Sequence, residues 1–201
     1  MSVIDPHTAA KLYVMNTLRG GHAKSVNFTL GGVTVRSSMF LDVALAIGKG
    51  KIGVIYVPSM AGEAEYYSGN KAVLGWNPAD WRAPNTLMLG FTSNTDPRNS
   101  ALVIHEAVHA GFDMEKRPMN HMTSEAVAYV AQAMYFLRVW GWNYSLKSDP
   151  ILGPATSIAK ALNGQTAPSA ADVTSLRDAI LADPHYSSKD MMNGQAVFNG
   201  V

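Results

Sequence analysis

Residues 96–118 read DPRNSALVIHEAVHAGFDMEKRP, and at their centre stands His105-Glu106-Ala107-Val108-His109. Asp96 and Pro97 open a helix and Pro118 marks its end. Four helical residues make one turn plus about 40°, so the two imidazoles leave one face and can bind one ion together. Glu106 follows the first histidine by one residue. That spacing aims its carboxylate beside the ion rather than at it, where it can take a proton from an attacking water as the catalytic base. The flanks, Ala101 to Ile104 and Ala110 to Phe112, are apolar, and polar groups buried there without partners are costly. A bound metal is the economical explanation; the bland alternative is a core helix that carries two histidines and a glutamate by accident.

A hydrolytic zinc needs a third protein ligand and one open position. Glu115 lies six residues past His109, about 240° around the helix, and should point away from the ion. Glu125 is the better candidate. It falls in the first turns of a second long helix, capped by Asn120 or Thr123 and reaching Trp140, which the turn around Pro118 brings back antiparallel to the first. Ala126, Ala128, Ala131 and Ala133 allow the two backbones to approach closely. The expected site is therefore one zinc per chain held by His105, His109 and Glu125; the competing reading of Glu125 is an acid that simply favours a helix N-terminus.

With these residues the chain resembles the zincin metallopeptidases of the gluzincin type, the thermolysin-like group. The likeness covers about Leu102 to Gln132 and includes Ala110 and Asp113, one and four residues after the second histidine. It implies a zincin-like α+β fold, a peptide or protein substrate, and support of a zinc histidine by Asp113. It also implies a sheet-edge strand beside the cleft that pairs with extended substrate, for which Thr86 to Phe91 is in the right place. Such proteins commonly supply a His or Tyr from outside the motif helices as donor to the oxyanion. Candidates are His121, Tyr66, Tyr67, Tyr135, His185 and Tyr186; the adjacent His185 and Tyr186, in the tail, attract because a tail can fold back over a cleft. His7 and His22 read as surface residues. The chain departs from the pattern in two places. Glu125 comes 16 residues after His109, a tighter connection than usual, and Tyr129 stands where an Asp is customary one turn after the glutamate, either supporting a zinc ligand through its hydroxyl or serving as core. The metzincin variant is excluded, since Phe112 and Glu115 occupy the places of its Gly and His.

Outward from the motif, Pro6 to Arg19 suggests an amphipathic helix with Ala9, Leu12, Tyr13 and Leu18 as its apolar positions. A hairpin follows, with Val26, Phe28 and Leu30, a Gly31-Gly32 turn, then Val33 and Val35. Ser38 to Ile47 is a short helix. Lys51 to Pro58, Lys71 to Trp76 and Thr86 to Phe91 have strand character, giving a small, mostly antiparallel sheet of about five strands. Beyond Gly141, Ala155 to Leu162 and Ala170 to Leu181 are helical. The expected organisation is α+β: one catalytic domain over 1–201, a mixed lobe 1–117 and a helical lobe 118–201, with zinc between them.

Composition narrows the chemistry. Cysteine is absent, so thiol nucleophiles, disulfides and thiolate metal sites are excluded and any metal falls to His, Asp and Glu. The 16 basic and 15 acidic residues are scattered, with no run able to line up phosphates, which argues against a nucleic-acid partner. The most apolar stretch, Ala126 to Trp142, carries Gln132 and Arg138 and falls short of the roughly 20 residues of a membrane span. No signal peptide is visible in the first twenty residues, which suggests a cytoplasmic protein or one exported by a signal-independent route. The second function class in view is a non-catalytic, metal-stabilised binding module, which a fourth protein ligand such as His121 would favour.

Overall fold

The computed structural model describes residues 4–69, 73–74, 81–82, 84–93, 96–184, 186 and 200–201. The chain is mixed α+β, with six α-helices and three small sheets among the described residues. Helix α1, Pro6–Arg19, starts at Asp5, whose carboxylate accepts the Thr8 N–H, and buries Ala10, Tyr13, Val14, Thr17 and Leu18. Of the expected apolar positions Tyr13 and Leu18 are buried and Ala9 partly so, but Leu12 is 49% exposed, and Ala10 and Val14 complete the buried face. Strands β1, Phe28–Leu30, and β2, Val33–Val35, form the expected antiparallel hairpin. Gly31 and Gly32 take φ values of 56° and 81°, which only glycine adopts without cost in a two-residue turn. Helix α2, Ser37–Gly48, follows and buries Met39, Phe40, Val43, Ala44 and Ile47.

Five further strands succeed it: β3, Gly53–Tyr56; β4, Ala64–Tyr67; β5, Val73–Leu74; β6, Trp81–Arg82; and β7, Thr86–Leu89. They do not join the hairpin in one sheet. Instead β3, β7 and β4 form a three-stranded sheet, and β5 pairs with β6 as a separate antiparallel ribbon. In the three-stranded sheet β3 is parallel to β7 and β4 is antiparallel to it. The strand expected at the edge, β7, is therefore central, and all four of its residues are buried, as a continuous apolar run in mid-sheet should be. The edge position next to the motif helix belongs to β4, which packs on α3.

Helix α3, Pro97–Met114, carries the motif. Asp96 caps it by accepting the Arg98 N–H, with Pro97 in the first turn. It ends in a turn where Lys116 takes φ 50°, the Lys116 N–H reaches the Asp113 carbonyl and the Arg117 N–H reaches the Phe112 carbonyl. Helix α4, His121–Trp140, begins at Asn120, whose side chain accepts the Thr123 N–H, so Asn120 is the cap rather than Thr123. Helices α5, Leu152–Asn163, and α6, Ala170–Ala182, follow. Most of α3 is buried, since α1, α2, α4 and β4 all pack against it. The core is continuous from α1 through α3 and α4 to Leu176 and Ile180 of α6. Among the described residues no helix is long and apolar enough to cross a membrane.

Candidate metal centre

His105 and His109 leave the same face of α3, with ring centroids 5.0 Å apart. Opposite them, α4 places four polar side chains at positions 124, 125, 129 and 132, a spacing that keeps them toward one side of a helix. His105 Nδ1 lies 3.0 Å from Gln132 Oε1, and His109 Nδ1 lies 2.9 Å from Ser124 Oγ. Each ring is thereby oriented from behind, and each Nε2 is turned toward Glu125. The Glu125 carboxylate bridges the two: Oε2 is 3.3 Å from His105 Nε2 and Oε1 is 3.4 Å from His109 Nε2.

This group can hold a metal ion. One ligand atom from each of His105, His109 and Glu125 fits within 4.8 Å of the others. With metal bonds of about 2.0–2.2 Å, ligand atoms of a tetrahedral site stand about 3.3–3.6 Å apart, so both histidine–carboxylate separations fit. The hydrogen bonding agrees. When His105 Nδ1–H donates to the Gln132 amide oxygen, its Nε2 faces the Glu125 carboxylate, where either a proton on Nε2 or a metal ion between them joins the two. The side chains of His109 and Glu125 are each 12% exposed, so the buried cluster still opens to solvent on one side.

The charges are strongly coupled. Burial alone raises the Glu125 carboxyl, yet the His109 and His105 imidazoles hold it well below the usual glutamate value. Burial lowers His109, but the Glu125 carboxylate, and Glu106 behind it, bring it out above its usual value. Glu106 moves the other way: burial pushes its carboxyl up, only partly offset by His105 and His109. Glu106 lies beside the cluster rather than in it, its Oε1 4.0 Å from His105 Nε2 and its Oε2 accepting the Tyr66 backbone N–H at 2.7 Å.

Tyr186 comes into the site. Its hydroxyl donates to Glu125 Oε2 at 2.9 Å and lies 3.0 Å from the Tyr129 hydroxyl. Tyr129 is half-buried with its ring edge-on to His105 at 4.5 Å, so it touches a candidate ligand by its ring and Tyr186 by its hydroxyl. Burial raises both phenols, and the Glu125 charge adds to it, so both stay protonated. His185 lies outside the described residues. His121 opens α4 and is not in the metal-holding group, and the Glu115 carboxylate pairs with Arg36 and Arg117 instead. Tyr135 meets His22 edge-on, and Tyr67 follows Tyr66 in β4. His22 is exposed, as is His7, which accepts the Tyr56 N–H.

One expected role is corrected. Asp113 supports no histidine: its Oδ2 accepts the Tyr66 hydroxyl at 2.7 Å and its Oδ1 accepts the Gly200 N–H at 3.0 Å. The histidines find their support on α4, where Gln132 and Ser124 occupy the places that the resemblance assigns to an acid on α3. Both were readable only as polar residues on an otherwise apolar helix. Tyr66, whose hydroxyl is committed to Asp113, holds Glu106 by its backbone N–H, a contact that no side-chain pattern signals. Comparison of the chain with protein-family models, with curated proteins and with solved structures finds no match in any of the three.

Proposed function

We propose that the chain is a zinc-dependent hydrolase, a peptidase of the gluzincin kind acting on peptide or protein substrates, with His105, His109 and Glu125 holding zinc and Glu106 as general base. The observation that carries this reading is the division of labour among four polar side chains, two buried and two at the mouth of the cluster. Three converge within 4.8 Å as ligands, while the fourth, Glu106, is held beside them by a backbone N–H with one oxygen left toward the cluster.

When bound, zinc supplies a Lewis acid that polarises a scissile carbonyl and makes water acidic enough to attack near neutral pH. Glu106 Oε1 takes the proton as the water oxygen bonds to the carbonyl carbon. It then delivers that proton to the leaving amine as the C–N bond breaks. Burial supports this use, because a carboxyl raised toward neutrality is better matched to accept and return a proton. Tyr186 donates its hydroxyl to Glu125, and a shift of that hydroxyl from Glu125 to the developing oxyanion supplies the electrophilic hydrogen bond.

The alternative of a non-catalytic, metal-stabilised module finds no fourth protein ligand among the described residues, His121 included. The test is Glu106→Gln, assayed on a mixed peptide library with zinc content measured in parallel. The variant is expected to keep zinc and lose hydrolysis by several orders of magnitude. Turnover at the normal rate would refute the mechanism.

A further inference from the structure

We propose that Tyr66 and Asp113 form a positioning clamp that fixes Glu106 for proton transfer. This rests on the reading of Glu106 as the base. Glu106 and Asp113 are seven residues apart on α3, two turns to within about 20°, so their carboxylates leave one face about 10 Å apart along the helix. A single residue spans that interval. Tyr66 donates its backbone N–H to Glu106 Oε2 and its phenol hydroxyl to Asp113 Oδ2, both at 2.7 Å.

The sheet register makes the backbone contact available. Across β4 and β7, the Gly90 N–H reaches the Glu63 carbonyl, and Ala64 pairs with Leu89 and Tyr66 with Leu87. Antiparallel pairs alternate between bonded and non-bonded, so Tyr66 falls on a non-bonded pair and its N–H projects away from β7. That leaves it for the carboxylate on α3. The far end is fixed as firmly: Asp113 is fully buried, and its second oxygen takes the Gly200 N–H, so the carboxylate is engaged on both sides. With Oε2 of Glu106 tied to β4, Oε1 is the oxygen left on the side of the histidines.

Neither contact of the clamp is made to an atom of His105, His109 or Glu125. Tyr66 and Asp113 are therefore positioning residues: they set where Glu106 Oε1 stands, and a small displacement of a reacting group costs rate steeply. Burial, with the Asp113 bond and charge, raises the Tyr66 phenol, so it remains a donor at any working pH.

The test uses the zinc-loaded protein and Tyr66→Phe, which keeps the ring and the backbone N–H but frees the far end. Tyr66→Phe/Asp113→Asn, which removes the stranded charge, serves if the single variant folds poorly. Two readouts are taken: amide hydrogen exchange at residue 66 by NMR, which needs no substrate, and kcat and KM on a peptide library. Zinc content should stay at the wild-type level. Exchange at residue 66 should quicken at least tenfold, and kcat should fall about 10- to 100-fold with KM little changed, the range for residues that act through another. Exchange and kcat both at wild-type values, with Glu106→Gln inactive, would overturn the clamp and leave the hydrolase standing. Quickened exchange with wild-type kcat would reduce the contact to a structural one and also overturn the proposal. A wild-type protein with zinc and no hydrolysis would sink the hydrolase reading itself, and the clamp's catalytic role with it.

Discussion

Gln132 Oε1 lies 3.0 Å from His105 Nδ1, a hydrogen bond that crosses from α4 to α3 and turns His105 Nε2 toward Glu125. The two helices thus share the centre: α3 supplies the imidazoles and Glu106, and α4 supplies the carboxylate between the imidazoles and the groups that orient them.

That division ranks three substitutions by their effect on zinc affinity. Glu125→Ala removes a direct ligand and should release zinc readily. Gln132→Leu removes only the support behind His105 and should weaken binding about 10- to 100-fold. Glu115→Ala breaks pairs with Arg36 and Arg117, far from the ligand atoms, and should leave the zinc affinity unchanged. Chelator competition on the three purified variants measures the order. Retention of zinc by Glu125→Ala, or selective loss in Glu115→Ala, would overturn the ligand set.

The coupled charges give the metal-free protein a defined pH response. Glu125 is depressed in the folded state, so its stabilising contribution is present above the ordinary glutamate value of 4.5 and lost as pH falls through the folded value. His109 is raised, so its contribution is full below 6.5 and lost as pH rises through its folded value. Glu106, also raised, works against the folded state from 4.5 upward, as pH rises toward its folded value. Glu125 and His109 together therefore favour the metal-free fold between pH 4.5 and 6.5, with Glu106 tilting the optimum toward the acid end, and Glu125→Gln should flatten the profile. Added zinc should raise the melting temperature more at pH 7.5 than at pH 5.5, because it must displace the His109 proton, about one competing proton per site. Thermal melts across pH 4–9, with and without zinc, check both signs (buffers chosen at roughly unit steps). A zinc effect that grows toward acid pH contradicts the assignment.

Tyr186 offers a separate handle on catalysis. Tyr186→Phe removes the hydroxyl that reaches Glu125 Oε2 but leaves the three ligands in place. It should retain zinc and lower kcat by about 100- to 1000-fold, the usual cost of one oxyanion donor. Steady-state kinetics on a cleaved peptide decide it, and an unchanged kcat removes Tyr186 from the mechanism.

Much of this arrangement was legible in the sequence because its determinants are local. Asp96, Pro97 and Asn120 announce the starts of α3 and α4, and the four-residue spacing of His105 and His109 sets one face. Glu125 followed from the short turn between the helices. The sheet was less legible because pairing is not local. Ala64–Tyr67 has neither alternation nor β-branched residues, and its two tyrosines are too short a signal to announce a strand; its character comes from lying against β7. The run Thr86–Leu89 was readable as a strand, but its place at the centre depended on having a neighbour on each side. Asp113 shows the same limit: its helical position was clear, and its partner, the Tyr66 hydroxyl, came from 47 residues away.

The most direct test of the whole account is the metal content of the purified chain. Protein grown in zinc-replete medium and measured by elemental analysis should carry one zinc per chain, and His105→Ala, which removes a ligand from the group of three, should carry none. Wild-type protein with no bound transition metal would contradict the central claim.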